Sequence, residues 1–184
     1  MPSVRPPRRD ELEALRSLER DAGRAFDAIG MPEIAEDEPL PVAELEAFRA
    51  REHAWVSVDE CDRPVAYLLS AIVDDCLHVV QVTVSPSHAR RRLGAALIEH
   101  LGAIALAEGR PALTLTTFRD APWNAPYYER LGFAVVEPAD QGPELAALVA
   151  HEAATIPGDA ARVAMRRPLS TARGGARGRR APPR

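Results

Sequence analysis

The chain has 184 residues, 46% of them hydrophobic, a length that suits one domain burying roughly 70% of the surface its unfolded chain exposes. Its net charge is −4 and all 23 basic residues are arginine; five of these, with no acid, lie in Ser170–Arg184, so the rest carries −9, the whole chain's −4 less the tail's 5. An acidic globular part argues against a nucleic-acid partner and favours a cationic small substrate, and with no apolar run near the ~20 residues that span a bilayer and no signal-peptide core in MPSVRPPRRDE, a cytoplasmic protein with no membrane partner is expected.

In chain order, Ser3–Arg5 reads as a short strand before Pro6 and Pro7. Between Arg9 and Phe26, Leu12, Leu15, Leu18 and Ala22 share one face of an amphipathic helix. Gly30–Pro41 is rich in proline and acid (Glu33, Glu36, Asp37, Glu38) and reads as a mobile acidic loop, a poor helix or strand. It is either solvated or a site for a cationic acceptor. A helix from Val42 to about Arg51 follows. Trp55–Asp59, Pro64–Val73 and Cys76–Val84 are then three strands whose tight connections make them antiparallel. Cys61 and Cys76 have no CxxC spacing and His151 has no HExxH partner, so two reduced thiols and no metal site are expected.

The β-branched run Val79, Val80, Val82, Thr83, Val84 stops at Pro86, and a basic turn opens into a helix over about Arg92–Ala107. The stretch Arg90-Arg91-Arg92-Leu93-Gly94-Ala95 sets full positive charges beside the unpaired N–H groups of a helix N-terminus. That is a cradle for a phosphate or, on the plainer reading, a solvated turn. After the stop Glu108–Pro111, the strand Ala112–Phe118 is reached through a helical crossover, so it lies parallel beside Cys76–Val84. A short helix (about Asn124–Leu131) ends on a left-handed Gly132, and a strand Phe133–Val136, a helix Glu144–Ala153 and a last strand near Ala161–Arg166 complete the order. The tail from Ser170 has no large apolar residue, so disorder is expected; it is either a solvated extension or a contact for RNA or an anionic surface.

Two segments in this order, V-x-P…R-R-x-L-G-x-x-L and N-x-P-x-Y-E-R-L-G-F, resemble the GNAT superfamily of acyl-CoA-dependent N-acyltransferases. With the meander before them the resemblance covers about residues 3 to 168. It implies an α/β GNAT fold, a mixed, mostly antiparallel sheet of six to seven strands flanked by helices and splayed at the cofactor site. Residues 1–169 would form that domain and 170–184 a tail. It also implies acetyl-CoA as cosubstrate, no metal, and direct acetyl transfer to a primary amine of a small molecule or peptide; a homodimer is compatible with it. No Cys or Ser sits in a nucleophile setting, which agrees with direct attack.

The family's pyrophosphate loop, Q/R-x-x-G-x-G/A, falls on Ala89–Gly94. Gly94 matches, Ala89 replaces the opening Gln or Arg, and Arg92 replaces the first Gly. The loop is workable if Arg92 takes ordinary helical angles, because backbone N–H groups around Leu93, Gly94 and Ala95 make the cradle and Arg90 and Arg91 supply charge. Backbone amides of Val82 and Val84 would meet the pantetheine arm. Tyr128 matches the family's general acid, a hydroxyl with an ordinary pKa of about 10 that can protonate a departing thiolate; its neighbour Tyr127 reads as packing. Asn124 matches a cofactor contact or is a helix N-cap. The base is missing: the strand where relatives often carry Glu here reads His78-Val79-Val80-Gln81. His78 or an acid of the Glu33–Glu38 loop acting through water are the candidates. The altered loop and absent strand Glu also fit a non-catalytic acyl-CoA-binding or regulatory domain.

Overall fold

The computed structural model describes residues 3–119, 121, 123–155 and 162–170; the tail beyond Ser170 and the Glu33 side chain lie outside them. The elements are β1 (Ser3–Arg5), α1 (Leu12–Gly23), α2 (Pro32–Ala35), α3 (Val42–Ala50), β2 (Ala54–Val58), β3 (Pro64–Val73), β4 (Cys76–Val84), α4 (Leu93–Ala107), β5 (Ala112–Phe118), α5 (Ala125–Glu129), β6 (Ala134–Val135), α6 (Pro143–Thr155) and β7 (Arg162–Pro168). The strands form one seven-stranded sheet in the order β1-β2-β3-β4-β5-β7-β6. Among the described residues only β4 and β5 pair in parallel; the other pairs are antiparallel.

Local chemistry sets the turns. Asp74 and Asp75, between β3 and β4, both have positive φ (47° and 58°), the left-handed pair that a two-residue hairpin needs and that Asp tolerates better than most residues. Between β2 and β3, one Asp59 carboxylate oxygen accepts the backbone N–H groups of Cys61 and Arg63. Those two bonds close the turn without glycine.

Both faces of the sheet are covered. On one, Leu93, Leu97, Ile98 and Leu101 of α4 pack on Leu68, Leu77, Val79, Leu113 and Leu115. On the other, Leu12, Leu15 and Leu18 of α1 and Leu45 of α3 pack on Val56, Tyr67 and Leu69. Neighbours Leu68 and Tyr67 thus serve opposite cores, as the two-residue period of a strand requires. This is why Val65–Ser70 is buried without interruption, a pattern usually met where a strand has helices on both sides.

The acidic stretch differs from its reading as a loop. Pro32–Ala35 forms one helical turn, because Pro32 at the first helical position loses no hydrogen bond and already has the required φ. Cys61 is exposed and Cys76 buried, both free. Among the described residues no helix is long and apolar enough to cross a membrane, and no group of three or more His, Cys, Asp or Glu could hold a metal.

Candidate active site

The sheet opens along β4. Its parallel pairing with β5 covers only Leu77–Val79 against Leu113–Leu115. At the same point the β3 register shifts: Ser70 lies opposite Val79 and Leu69 opposite Gln81, which leaves Val80 as a bulge, 42% exposed. A bulge adds a residue and sharpens the twist. From Val80 onward the β5 side of β4 has no strand partner among the described residues.

That free edge carries donors. Ser85 N–H bonds to Val65 O of β3 at 2.9 Å, and N–H groups alternate sides along a strand. Val84 and Val82 therefore turn their N–H groups the other way, into the gap. Their side chains pack with the α4-side core, so the two residues present backbone to the gap.

The N-terminus of α4 closes one wall. Arg92 has φ 60°, ψ 23° and is the N-cap, and Arg90 has φ 61°. Arg92 is thus left-handed, not helical as the sequence reading required. At the position where the resemblance has glycine, this arginine takes a left-handed backbone at a cost of roughly 1 kcal/mol. The left-handed Arg90 and Arg92 flank Arg91, and turn residues of this kind are one source of anion-binding concavities. All three arginines are exposed. None joins an ion pair among the described residues. Leu93, Gly94 and Ala95 are buried in the first turn. A Cβ on Gly94 would lie 3.2 Å from the Tyr127 hydroxyl, 3.5 Å from Val82 and 3.6 Å from Val84. Gly94, Val82 and Val84 do meet, and Tyr127 meets them.

The pairing of Tyr127 with the α4 terminus was missed by the sequence reading. Burial raises its pKa, while the Ala95 backbone N–H and the guanidinium groups of Arg92 and Arg130 oppose the rise. Tyr128 packs on the α4-side core, edge-on to Tyr127 at 5.4 Å and to Phe133 at 5.8 Å. Its hydroxyl is raised well above the usual range, chiefly by burial, and Arg162 opposes the rise. Both phenols hold their protons at neutral pH. Asn124 occupies the N-cap of α5 but its side chain makes no capping bond.

His78 is 2% exposed and its Nδ1 lies 3.0 Å from Thr114 Oγ1. Burial, reinforced by the Arg162 charge, lowers its pKa to about 4. The imidazole is a neutral, interior group with little basicity, a poorer proton acceptor than its sequence position suggested, because the strand is covered on that face too. Glu36 and Asp37 are exposed; Glu38 beside them pairs with Arg16 and Arg20 of α1. The turn after α1 reaches the end of β5 through Phe26, edge-on to Phe118 at 5.8 Å and Trp123 at 5.7 Å.

One acid no motif pointed to lies against β4. Glu19 of α1 accepts from the Tyr67 hydroxyl at 2.5 Å and from the Gln81 side-chain amide at 2.9 Å. Its helical face is legible in sequence, but its partners are 48 and 62 residues away.

An acetyltransferase of the GNAT family from Staphylococcus aureus superposes with a TM-score of 0.70 at 11% identity, covering 92% of this chain and 100% of that one. The PaiA N-acetyltransferase of Thermoplasma acidophilum, solved with coenzyme A, gives 0.65 at 12% identity, covering 91% and 99%. A ribosomal-protein-alanine N-acetyltransferase from Escherichia coli gives 0.64 at 18% identity, covering 96% and 98%. These likenesses establish the shared fold. The sequence pattern of the acetyltransferase (GNAT) family matches residues 12–133, more than half of the chain, and the chain belongs to that family.

Proposed function

We propose that the chain is a cytoplasmic N-acetyltransferase that moves an acetyl group from acetyl-CoA to a primary amine of a small molecule or peptide by direct attack. The observation that carries this reading is the released edge of β4, with the Val82 and Val84 N–H groups facing a gap beside the α4 N-terminus. The family membership supports acyl-CoA as donor, and the coenzyme A in the Thermoplasma structure agrees. The acidic body of residues 1–169, at −9 without the tail's five arginines, favours an amine, which is a cation at neutral pH.

Acetyl-CoA supplies the acetyl group as a thioester. The residues that would hold it fit: backbone N–H groups of Val82 and Val84 for the arm, and the Leu93–Ala95 amides with Arg90, Arg91 and Arg92 for the phosphates. Asn124, with its side chain not engaged in capping, supplies a further contact. Tyr128 keeps its proton at neutral pH and gives it to the departing sulfur. Neutral His78 stays structural. Glu36 and Asp37, both exposed, are the acids assigned to the acceptor's approach.

Calorimetric titration with acetyl-CoA tests the reading. Micromolar binding is expected, followed by release of free CoA thiol with one or more of a panel of polyamines, aminoglycosides, amino acids and peptides with free N-termini. Gly94→Glu should weaken that binding at least tenfold, since it sets bulk and negative charge against the cradle. A chain that binds acetyl-CoA and acetylates nothing in the panel would instead be the regulatory domain.

A further inference from the structure

We propose that Glu19 is the carboxylate that receives the acceptor's ammonium group and takes its proton. The inference rests on the transferase reading and supplies the base that the strand itself lacks.

Three observations carry it. Glu19 is delivered to Gln81, the first paired residue after the Val80 bulge and the neighbour of Val82, whose N–H faces the gap. The acid absent from β4 is thus brought from α1 to the same level of the strand. Second, its partners are neutral donors, Tyr67 Oη and Gln81 Nε2, the latter shared with Thr83. Arg16 and Arg20 stand on the same helix, yet both reach across to Glu38. Most acids that pair in this protein do so with arginine. Among the described residues no cation pairs with Glu19, which leaves an oriented carboxylate of the kind an incoming ammonium group needs. Third, Tyr67 is fully buried, and burial followed by the Glu19 charge holds its hydroxyl protonated far above the ordinary range. It fixes one carboxylate oxygen and cannot compete as the base. Glu19 itself is only half-buried.

The proton balance is complete. Glu19 accepts one N–H proton of R–NH3+, leaving R–NH2, and later releases it to water. The nitrogen lone pair forms the C–N bond to the acetyl carbon while the C–S bond breaks. The sulfur takes the Tyr128 proton, and the second N–H proton returns through water to Tyr128.

The test pairs kinetics with a readout that needs no turnover. In Glu19→Gln, which keeps an acceptor for Tyr67, acetyl-CoA affinity and melting temperature should stay as in wild type. Its kcat/KM for the most active amine of the panel should fall at least 100-fold at pH 7. The loss should shrink as pH approaches the amine's own pKa, where free amine forms without help; a structural role would leave the ratio flat. Glu19→Asp should recover part of the rate. Independently, the Glu19 side-chain carboxyl 13C resonance of the CoA-free protein, assigned by its absence in Glu19→Gln, should shift on adding millimolar glycinamide and not on adding equal sodium chloride. Activity within twofold of wild type in Glu19→Gln, a large fall in melting temperature, or a carboxyl signal indifferent to glycinamide would each overturn the assignment. Failure of acetyl-CoA to bind wild type would strike the transferase reading instead, and the resonance would still report whether Glu19 meets an amine.

Discussion

Over Leu77–Val79, β4 is held on both edges, by β3 and by β5, and all three side chains are buried. Over Val80–Val84 it keeps only β3, begins with an exposed bulge and turns two backbone donors into open space. The first half reads Leu-His-Val and the second Val-Gln-Val-Thr-Val, so β propensity favours the half that is less held. What separates them is whether β5 follows. The first half spends its hydrogen bonds on the fold, and the second leaves them for a ligand.

Perturbing each half should therefore read out differently. The largest effect is expected from Leu77→Ala, 1% exposed in the fixed half, which should lower unfolding free energy by about 3 kcal/mol in urea titration; a loss below 1 kcal/mol would show that this half is not where the sheet is anchored. Next, for the proposed acid, Tyr128→Phe should reduce kcat about 100-fold and leave acetyl-CoA affinity within twofold, and an unchanged kcat removes the acid assignment.

His78 gives a smaller, pH-dependent effect on the fixed half. Its folded pKa of about 4 lies below the unfolded 6.5, so below pH 6.5 the unfolded chain takes up a proton that the native chain refuses. Stability should fall as pH drops from 6.5 toward 4 and then level off for this group. The loss by pH 4.5 is about 2.5 kcal/mol. Urea midpoints at pH 7 and 4.5 should differ less for His78→Gln than for wild type, and equal differences would exclude the histidine as the source. The smallest effect concerns the cradle. Arg92→Gly relieves a left-handed arginine and should stabilise the chain by about 1 kcal/mol, about 3 °C in melting temperature. A lower melting temperature would mean that the Arg92 side chain contributes more than its backbone costs.

Much of this was legible in the sequence. The strands Pro64–Val73, Cys76–Val84 and Ala112–Phe118 have the bounds their β-branched runs and flanking turn residues suggested. The parallel neighbourhood of the last two followed from the intervening helix. The one-turn helix at Pro32 was hidden because proline signals a loop and a helix start alike. The left-handed backbone of Arg92 was not legible, because backbone angles at a non-glycine default to the right-handed region. Tyr127 and Tyr128 are adjacent and chemically alike, so which hydroxyl reaches Gly94 depends on how α5 sits. Glu19 was out of reach for a different reason: its meaning comes from Tyr67 and Gln81, brought together only when α1 covers the sheet.

The placing of β7 bears on how the protein comes to be made. Among the described residues it is the last strand in sequence, yet it lies inside the sheet, between β5 and β6, which both precede it. A nascent chain emerging up to residue 155 has already shown β5 with one long edge bare and β6 with nothing to pair to. The sheet is completed only when Arg162–Pro168 slots into the interval, so folding cannot keep pace with translation. During that delay the uncovered β5 edge is the point at which two unfinished chains would pair with each other.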